Sequence, residues 1–356
     1  MGKISLFLVL LLLDIPRQIK DLSKDSCMTE TPNKVITVAS FKGIQVTGVT
    51  VSGNGRIFAN FPRWRTGLPL SVAEVLPGNA YKPYPDEEMN SWETGKEISS
   101  KFICVQSVVT DDDKLYILDT SNPLLTGIIT QPRVFVYDLK SNRLVKTYTF
   151  SKESVKLNSY VNDLRIDNKK GKIYFTDSGE PALIILDTRS GLFTRILDNH
   201  PYTRAESDHL IINGMAWGNA VHSDGIALDT ENDILYFHAL TGYTLYGIKT
   251  DDLLDTARLN HVKPFMLKTP ATDGMDIDDR GNLYFGDLEN NKIQYLMPDR
   301  KTIITLTEGN AVRWPDSFSI YDGYLYYSNS RIHELKEDIS DMEFTINKIK
   351  LPGKNR

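Results

Sequence analysis

Several protein classes are excluded by what this chain lacks. It has two cysteines in 356 residues, Cys27 and Cys104, with neither a Cys-x-x-Cys pair nor metal-ligand spacing, so a disulfide framework and a structural zinc site are excluded. If the chain is exported, a bridge between the two is chemically permitted; two free thiols, one of them buried, are the plainer alternative. The six histidines, at 200, 209, 222, 238, 261 and 333, form no His-x-x-x-His pair. There is no Gly-x-Ser-x-Gly elbow, P-loop or dinucleotide fingerprint, which argues against triad hydrolysis and nucleotide chemistry. No basic run occurs and the net charge is −5, so nucleic acid is not an expected partner. The apolar stretch Ile4 to Leu13 is about as long as a signal-peptide core and too short to span a bilayer well. Following Met1-Gly2-Lys3, it predicts export to a secreted or periplasmic location, although no Ala-x-Ala cleavage pattern comes after it. A frayed apolar tail or a misplaced start is the competing reading of that stretch. No stable membrane span is expected.

What the chain does have is a phrase that returns six times. Its fullest copies are Val161-Asn162-Asp163-Leu164-Arg165-Ile166-Asp167, Ser223-Asp224-Gly225-Ile226-Ala227-Leu228-Asp229 and Thr272-Asp273-Gly274-Met275-Asp276-Ile277-Asp278. Each is followed, after a polar turn, by an apolar burst: Ile173-Tyr174-Phe175, Leu235-Tyr236-Phe237 and Leu283-Tyr284-Phe285. Weaker copies begin at Val46, Val105 and Pro315. The second positions (47, 106, 162, 224, 273, 316) lie 59, 56, 62, 49 and 43 residues apart. A period of that length built from strand-like units predicts an all-β chain folded as a six-bladed β-propeller. With 41% hydrophobic and 24% charged residues, the chain can fill the core such a ring needs.

Residues 1–33 read as a signal-like segment and linker, and 34–356 as the propeller. Lys34 to Phe41 and Phe344 to Leu351 both alternate, so these stretches from the two termini are expected to close the ring in one blade. Asn54-Gly55, Asn168-Lys169-Lys170-Gly171 and Asp279-Arg280-Gly281-Asn282 read as hairpin turns. Residues 62–101 and 199–222 read as insertions beyond the minimal blade, suited to the rim of a site.

Strand geometry then locates the chemistry. The second position of each repeat opens a blade's first strand, and the residue after the Tyr-Phe-x burst ends its antiparallel partner. Thr47, Gln106, Asn162, Asp224, Asp273 and Asp316 should therefore share one mouth of the channel with Phe61, Asp119, Asp177, Ala239, Asp287 and Asn329. Gln106, Asn162, Asp224, Asp273 and Asp316 are the candidate ligand-binding set. Asn162, Asp224 and Asp273 are the candidate metal ligands if Ca2+ or another divalent cation occupies the mouth. His238 and Asp177 are the candidate acid–base residues, with His222 flanking the same blade. The plainer reading is that each aspartate accepts backbone hydrogen bonds at its own turn.

The residues also carry a resemblance. Phe61-Pro62-Arg63-Trp64-Arg65-Thr66-Gly67-Leu68-Pro69, Tyr84-Pro85-Asp86, Leu115-Tyr116-Ile117-Leu118-Asp119-Thr120, Thr176-Asp177-Ser178-Gly179, Gly286-Asp287-Leu288-Glu289-Asn290-Asn291 and Trp314-Pro315-Asp316 resemble the yellow/major royal jelly protein family, in the form of a bacterial-type member. The resemblance implies a secreted six-bladed propeller. It also implies conversion of dopachrome-type quinones, or binding of biogenic amines in the central channel. More distantly the repeats resemble gluconolactonase-like propellers, which hold calcium with a first-blade Glu plus Asn and Asp from later repeats. Asn162, Asp224 and Asp273 fit that pattern, but the first-blade position reads Val46-Thr47-Gly48 and offers no carboxylate. Three functions follow. The first is a monomeric propeller binding an aromatic amine, catechol or quinone, with dopachrome-type tautomerase activity. The others are a metal-dependent lactonase or esterase and a non-catalytic interaction protein.

Overall fold

A computed structural model describes residues 34–353. The signal-like stretch, the linker and Cys27 lie outside the described residues, and with them the question of a Cys27–Cys104 bridge; Cys104 itself is buried.

Six four-stranded antiparallel sheets make up the ring. Their first strands are Gly48–Val51, Val105–Asp111, Val161–Asp167, Ser223–Asp229, Met275–Ile277 and Pro315–Tyr321, and they define blades 1 to 6. Each first strand touches the first strands of both neighbouring blades, and the sixth returns to the first. The innermost strands therefore enclose the axis.

The apolar bursts explain why the ring holds. Successive residues of a strand point to opposite faces, and both faces of every blade are covered by a neighbour. Ile173 and Phe175 pack into the core shared with blade 2, whereas Tyr174 between them packs into the core shared with blade 4. Leu283 and Phe285 face blade 4 while Tyr284 faces blade 6. A run of unbroken apolar residues is what a strand buried on both faces requires. The core is accordingly a series of wedges between consecutive blades.

Closure uses both termini, as the alternation predicts. Ile36–Lys42 pairs with Glu343–Lys350, which pairs with Tyr324–Asn329. The N-terminal strand is the outermost of blade 6. Phe41 on that strand meets Phe61 of the blade 1 side edge-to-face at 5.0 Å, and both are buried.

One expectation is corrected. Residues 62–101 are not wholly an insertion, because they contain the outer strands of blade 1, Val72–Leu76 and Ala80–Pro83. Their pattern is obscured by Glu74, which is buried but ion-paired with Arg56 at 2.7 Å and Lys82 at 3.2 Å, and by an exposed edge strand. A one-turn helix, Glu87–Asn90, follows. Residues 199–222 are an excursion between blades 3 and 4, carrying the short hairpin Leu210–Ile212 and Met215–Trp217.

Truncating the closure contact tests this account. Phe41→Ala should lower the unfolding free energy by about 3–5 kcal/mol, the usual cost of removing a buried aromatic. An unchanged denaturation midpoint would show that closure does not depend on this contact.

Candidate functional site

The second positions reach the axis through a repeated irregularity. Pairing slips between Val105 and Ser107, Val161 and Leu164, Ser223 and Ile226, and Pro315 and Phe318. The skipped residues include Gln106, Asn162, Asp224 and Asp316. In blade 5, pairing begins only at Met275, after Asp273-Gly274. A bulge releases a residue from its cross-strand partner and re-aims its side chain. Blade 1 has no slip: Gly48 sits opposite Asn60, and the buried Thr47 accepts a hydrogen bond from Asn60 Nδ2 at 3.0 Å.

Glycine brings the acidic positions together. A Cβ on Gly225 would lie 2.5 Å from the Asp273 carbonyl oxygen, and one on Gly274 would lie 2.8 Å from that of Asp316. The backbone of the next blade thus passes where a side chain would stand. Asp224, Asp273 and Asp316 are consequently neighbours.

A hydrogen-bonded chain runs around the mouth. Trp64 Nε1 donates to the Tyr160 hydroxyl at 2.6 Å, which donates to Gln106 Oε1 at 2.7 Å. Gln106 Nε2 donates to Asn162 Oδ1 at 3.2 Å, and Asn162 Nδ2 donates to Asp224 Oδ2 at 2.7 Å. Asp224 and Asp273 are hydrogen-bonded to each other. Trp314 Nε1 closes the series on Asp273 Oδ2 at 2.6 Å. Asp316, 8% exposed, keeps its Oδ2 buried without a hydrogen-bond partner.

Two carboxyls can bond to each other only if one holds a proton. Burial, with further contributions from the neighbouring carboxylates, raises all three groups. Asp273 is pushed up to about 7, held there against the hydrogen bonds it accepts from Trp314 and Asp224. Asp224 and Asp316 stand well above the ordinary aspartate range, first through burial and then through the charge of Asp273. The directions place the shared proton on Asp224. A pair of carboxyls with separated affinities can give and take a proton near neutral pH.

Above this floor is a cavity of about 440 Å³. Its walls include Trp64, Tyr160, Trp217 and Trp314, so three of the four tryptophans in the chain meet here. Trp314 has φ +76°, a backbone region that bulky residues rarely enter. It is held there by its bond to Asp273, by Trp217 edge-on at 4.8 Å and by His333 stacked at 5.8 Å. Strain retained at a cavity wall is a common mark of a working site. Below the floor, Arg165 crosses from blade 3 to blade 5, bonding Asp163 at 2.8 Å and the Met275 carbonyl at 2.6 Å. Only a void of about 10 Å³ lies among the ring side chains themselves.

The structure gathers Gln106, Asn162, Asp224, Asp273 and Asp316 at one mouth, but it places Asp177 and His238 elsewhere. Asp177 is fully buried and accepts from Tyr160 N (2.9 Å), Ser159 Oγ (2.6 Å), Glu180 N (3.0 Å) and Arg195 Nη1 (2.8 Å). It pins a loop, and Asp119 does the same for Ile103, Cys104 and Ser121. His238 is buried between the Ala239 carbonyl and Thr269 Oγ1, and burial lowers it to about 4. Neither Asp177 nor His238 lines the cavity. The end of a hairpin partner strand gives the right rim but the wrong facing direction, and that is the physical reason for the correction. His222 Nδ1 accepts from Ala205 N at 3.0 Å and holds the excursion in place.

A model of the major royal jelly protein family matches residues 104–352. Dopaminechrome tautomerase of Drosophila melanogaster is 24% identical over 219 residues, which cover 57% of this chain and 47% of that protein. Protein yellow of Drosophila erecta is 25% identical over 239 residues, 59% of this chain and 42% of that one. The chain thus spans about half the length of the curated relatives it matches. Among solved structures, luciferin-regenerating enzyme is similar at a TM-score of 0.57 and 12% identity, over 90% of this chain and 96% of that one. That likeness is one of fold, to six-bladed gluconolactonase-like propellers.

The carboxyl cluster makes stability depend on pH in a stated direction. Each group's folded pKa lies above the unfolded value of about 3.9, so the folded state binds protons more tightly. Stability from this source is greatest near pH 4 and is lost as pH rises toward 7 and beyond. The melting temperature should fall from pH 5 to pH 8, and Asp316→Asn should make the fall shallower. Equal slopes in thermal unfolding of the two proteins would remove the cluster from the account.

Proposed function

The chain belongs to the major royal jelly protein family, and from that premise we propose that it binds a small aromatic molecule in the mouth cavity and tautomerises a dopachrome-type quinone there. The observation that carries this reading is the buried pair Asp224 and Asp273, two adjoining carboxyls raised by burial, Asp273 to about 7, beneath aromatic walls. Conversion of an indoline-5,6-dione to a 5,6-dihydroxyindole takes one proton from each of two adjacent ring carbons and adds one at each quinone oxygen, in two successive tautomerisations. The electrons move within the substrate, so no oxidant or cofactor enters the balance. Such a reaction needs one group that takes a proton and one that gives it. Asp273, half ionised near pH 7, is the base; Asp224, holding the shared proton, is the acid. The indole and phenol walls suit a flat ring. The name of the Drosophila relative supports the same chemistry. Secretion, which the resemblance and the signal-like stretch imply, belongs to this proposal as well.

Calcium in the mouth is the second occupant to weigh. Asn162 Oδ1 already accepts from Gln106, Asp273 Oδ2 from Trp314, and Asp224 Oδ2 from Asn162. Blade 1 contributes Thr47, whose hydroxyl is taken by Asn60. The described residues contain no group of three or more His, Cys, Asp or Glu side chains arranged to hold a metal ion. These donors fit a proton network better than the six to eight oxygens calcium prefers, and no step is derived through a metal.

The assay is the loss of dopaminechrome colour over the buffer rate. The purified protein should accelerate it with or without a chelator. kcat/KM should rise with pH as Asp273 ionises near 7. Asp273→Asn and Asp224→Asn should each lower kcat/KM by roughly 100-fold, in the range for general acid–base groups. A wild-type rate equal to buffer, or full activity in Asp273→Asn, would overturn the reading.

A further inference from the structure

The charged groups of the 440 Å³ cavity are all of one sign. Among the described residues that line it, none is lysine, arginine or histidine, while Asp224, Asp273 and Asp316 form its floor. The basic residues adjoining the aromatic wall are engaged elsewhere. Arg65, next to Trp64, is directed at Gln45 Oε1 at 3.3 Å and the Lys336 carbonyl at 3.4 Å. Arg313, next to Trp314, is ion-paired with Glu334. His333 stacks on Trp314 with its imidazole 4% exposed and its Nε2 3.3 Å from Glu334.

Neutral donors of the wall are committed as well. Gln106 Nε2 donates to Asn162, and Asn162 Nδ2 to Asp224. Asn122 Nδ2 donates to the Ser159 carbonyl at 3.1 Å, and Asn158 Nδ2 is directed at Glu180 Oε1 at 3.4 Å. The indoles of Trp64 and Trp314 donate to Tyr160 and Asp273. Asn219 stands on the exposed rim, where water competes for its amide. An anion drawn into this cavity would leave water without gaining a cation or any of the committed donors. It would do so beside carboxyls whose own charge is already disfavoured. A neutral flat ring meets no such cost.

Tautomerisation makes the position of a substrate carboxylate matter. An indoline-5,6-dione loses one proton from C2 and one from C3 and gains one at each quinone oxygen. Where the quinone has formed by cyclisation of an amino acid, a carboxylate stands on C2. Where it has formed from an amine, C2 carries only hydrogen. A base in reach of C2 or C3 is also beside that carboxylate. With Asp273 as the base, two negative charges would have to approach each other with no cation to balance them. We propose, resting on the tautomerase reading, that the mouth selects quinones without a carboxylate: the cyclised quinone of an amine in preference to that of the parent amino acid.

Two measurements test the selection. Titration calorimetry of the full chain with indole-2-carboxamide and indole-2-carboxylate compares two unreactive rings of similar shape that differ in charge. The carboxamide should bind tighter than the carboxylate by roughly tenfold or more. Trp217→Ala, which truncates a half-buried wall residue, should weaken the carboxamide severalfold. Equal affinities, no binding of either ring, or an unchanged carboxamide affinity in Trp217→Ala would overturn the selection. In the colour-loss assay, kcat/KM for dopaminechrome should exceed that for dopachrome, which carries the carboxylate, by a similar factor. Equal turnover of the two would overturn the selection and leave the tautomerase reading intact. Preference for the carboxamide with no turnover of either quinone would do the reverse, so the two fail separately.

Discussion

The candidate site depends on three carboxyl groups held side by side, with burial and one another as the main influences on them. Their closeness is imposed by backbone: Gly225 and Gly274 allow the following blade to approach to a distance no side chain would tolerate. Three ionised carboxylates in that space would repel each other strongly in a low-dielectric surrounding. Burial and mutual repulsion answer this by favouring the protonated forms, which raises all three groups above the ordinary aspartate range, Asp273 to about 7. A group that is unfavourable to charge in the resting state is one that will exchange protons with a bound molecule.

Such a cluster needs a frame that cannot relax away from it. The wedges of core between blades supply one, since each blade is buried on both faces and no sheet can slide without exposing apolar surface. The loops at the mouth are fixed in a second way. Asp119 and Asp177 each gather backbone N–H groups of the segment entering their blade and are tied to an arginine, Arg133 at 3.1 Å and Arg195 at 2.8 Å. Aspartates on the same rim of the ring, in different blades, therefore stand in opposite surroundings. Those of blades 2 and 3, with arginine and backbone donors, anchor loops, and those of blades 4 to 6, whose neighbours are other carboxyls, are raised above the ordinary aspartate range.

That division marks the limit of what the sequence made legible. The sixfold phrase and its Leu-Tyr-Phe bursts were enough for the ring, because a double-sided buried strand leaves an unmistakable apolar run. The mouth set from Gln106 to Asp316 was legible for the same reason of position. Asp177 and His238 were misjudged because chain order tells which rim a residue reaches but not which way its side chain turns. The outer strands of blade 1 were hidden by Glu74 and Lys82, charged residues that pair with each other. Trp64 and Trp217 lie in the two stretches read as suited to the rim of a site, but neither they nor Trp314 stood out as site residues, because each lies outside the period. The scarcity of tryptophan was the available signal. The positive φ of Trp314 had none, since it arises from bonds to Asp273 and His333's stacking, both long-range.

The absence of a carboxylate in blade 1 now acquires a physical meaning. In a propeller that holds calcium, a first-blade acid would supply both an anchor and an excess of negative charge over the protons present. Here that position is Thr47, whose hydroxyl accepts from Asn60. One carboxylate fewer leaves a cluster whose charge can be balanced by protons alone, and the amide of Asn162 turns its nitrogen, not its oxygen, toward Asp224. An amide nitrogen beside a carboxyl is repelled by a metal and welcomed by a hydrogen bond. The ring side chains are therefore tied to one another by hydrogen bonds, from Gln106 through Asn162 to Asp224.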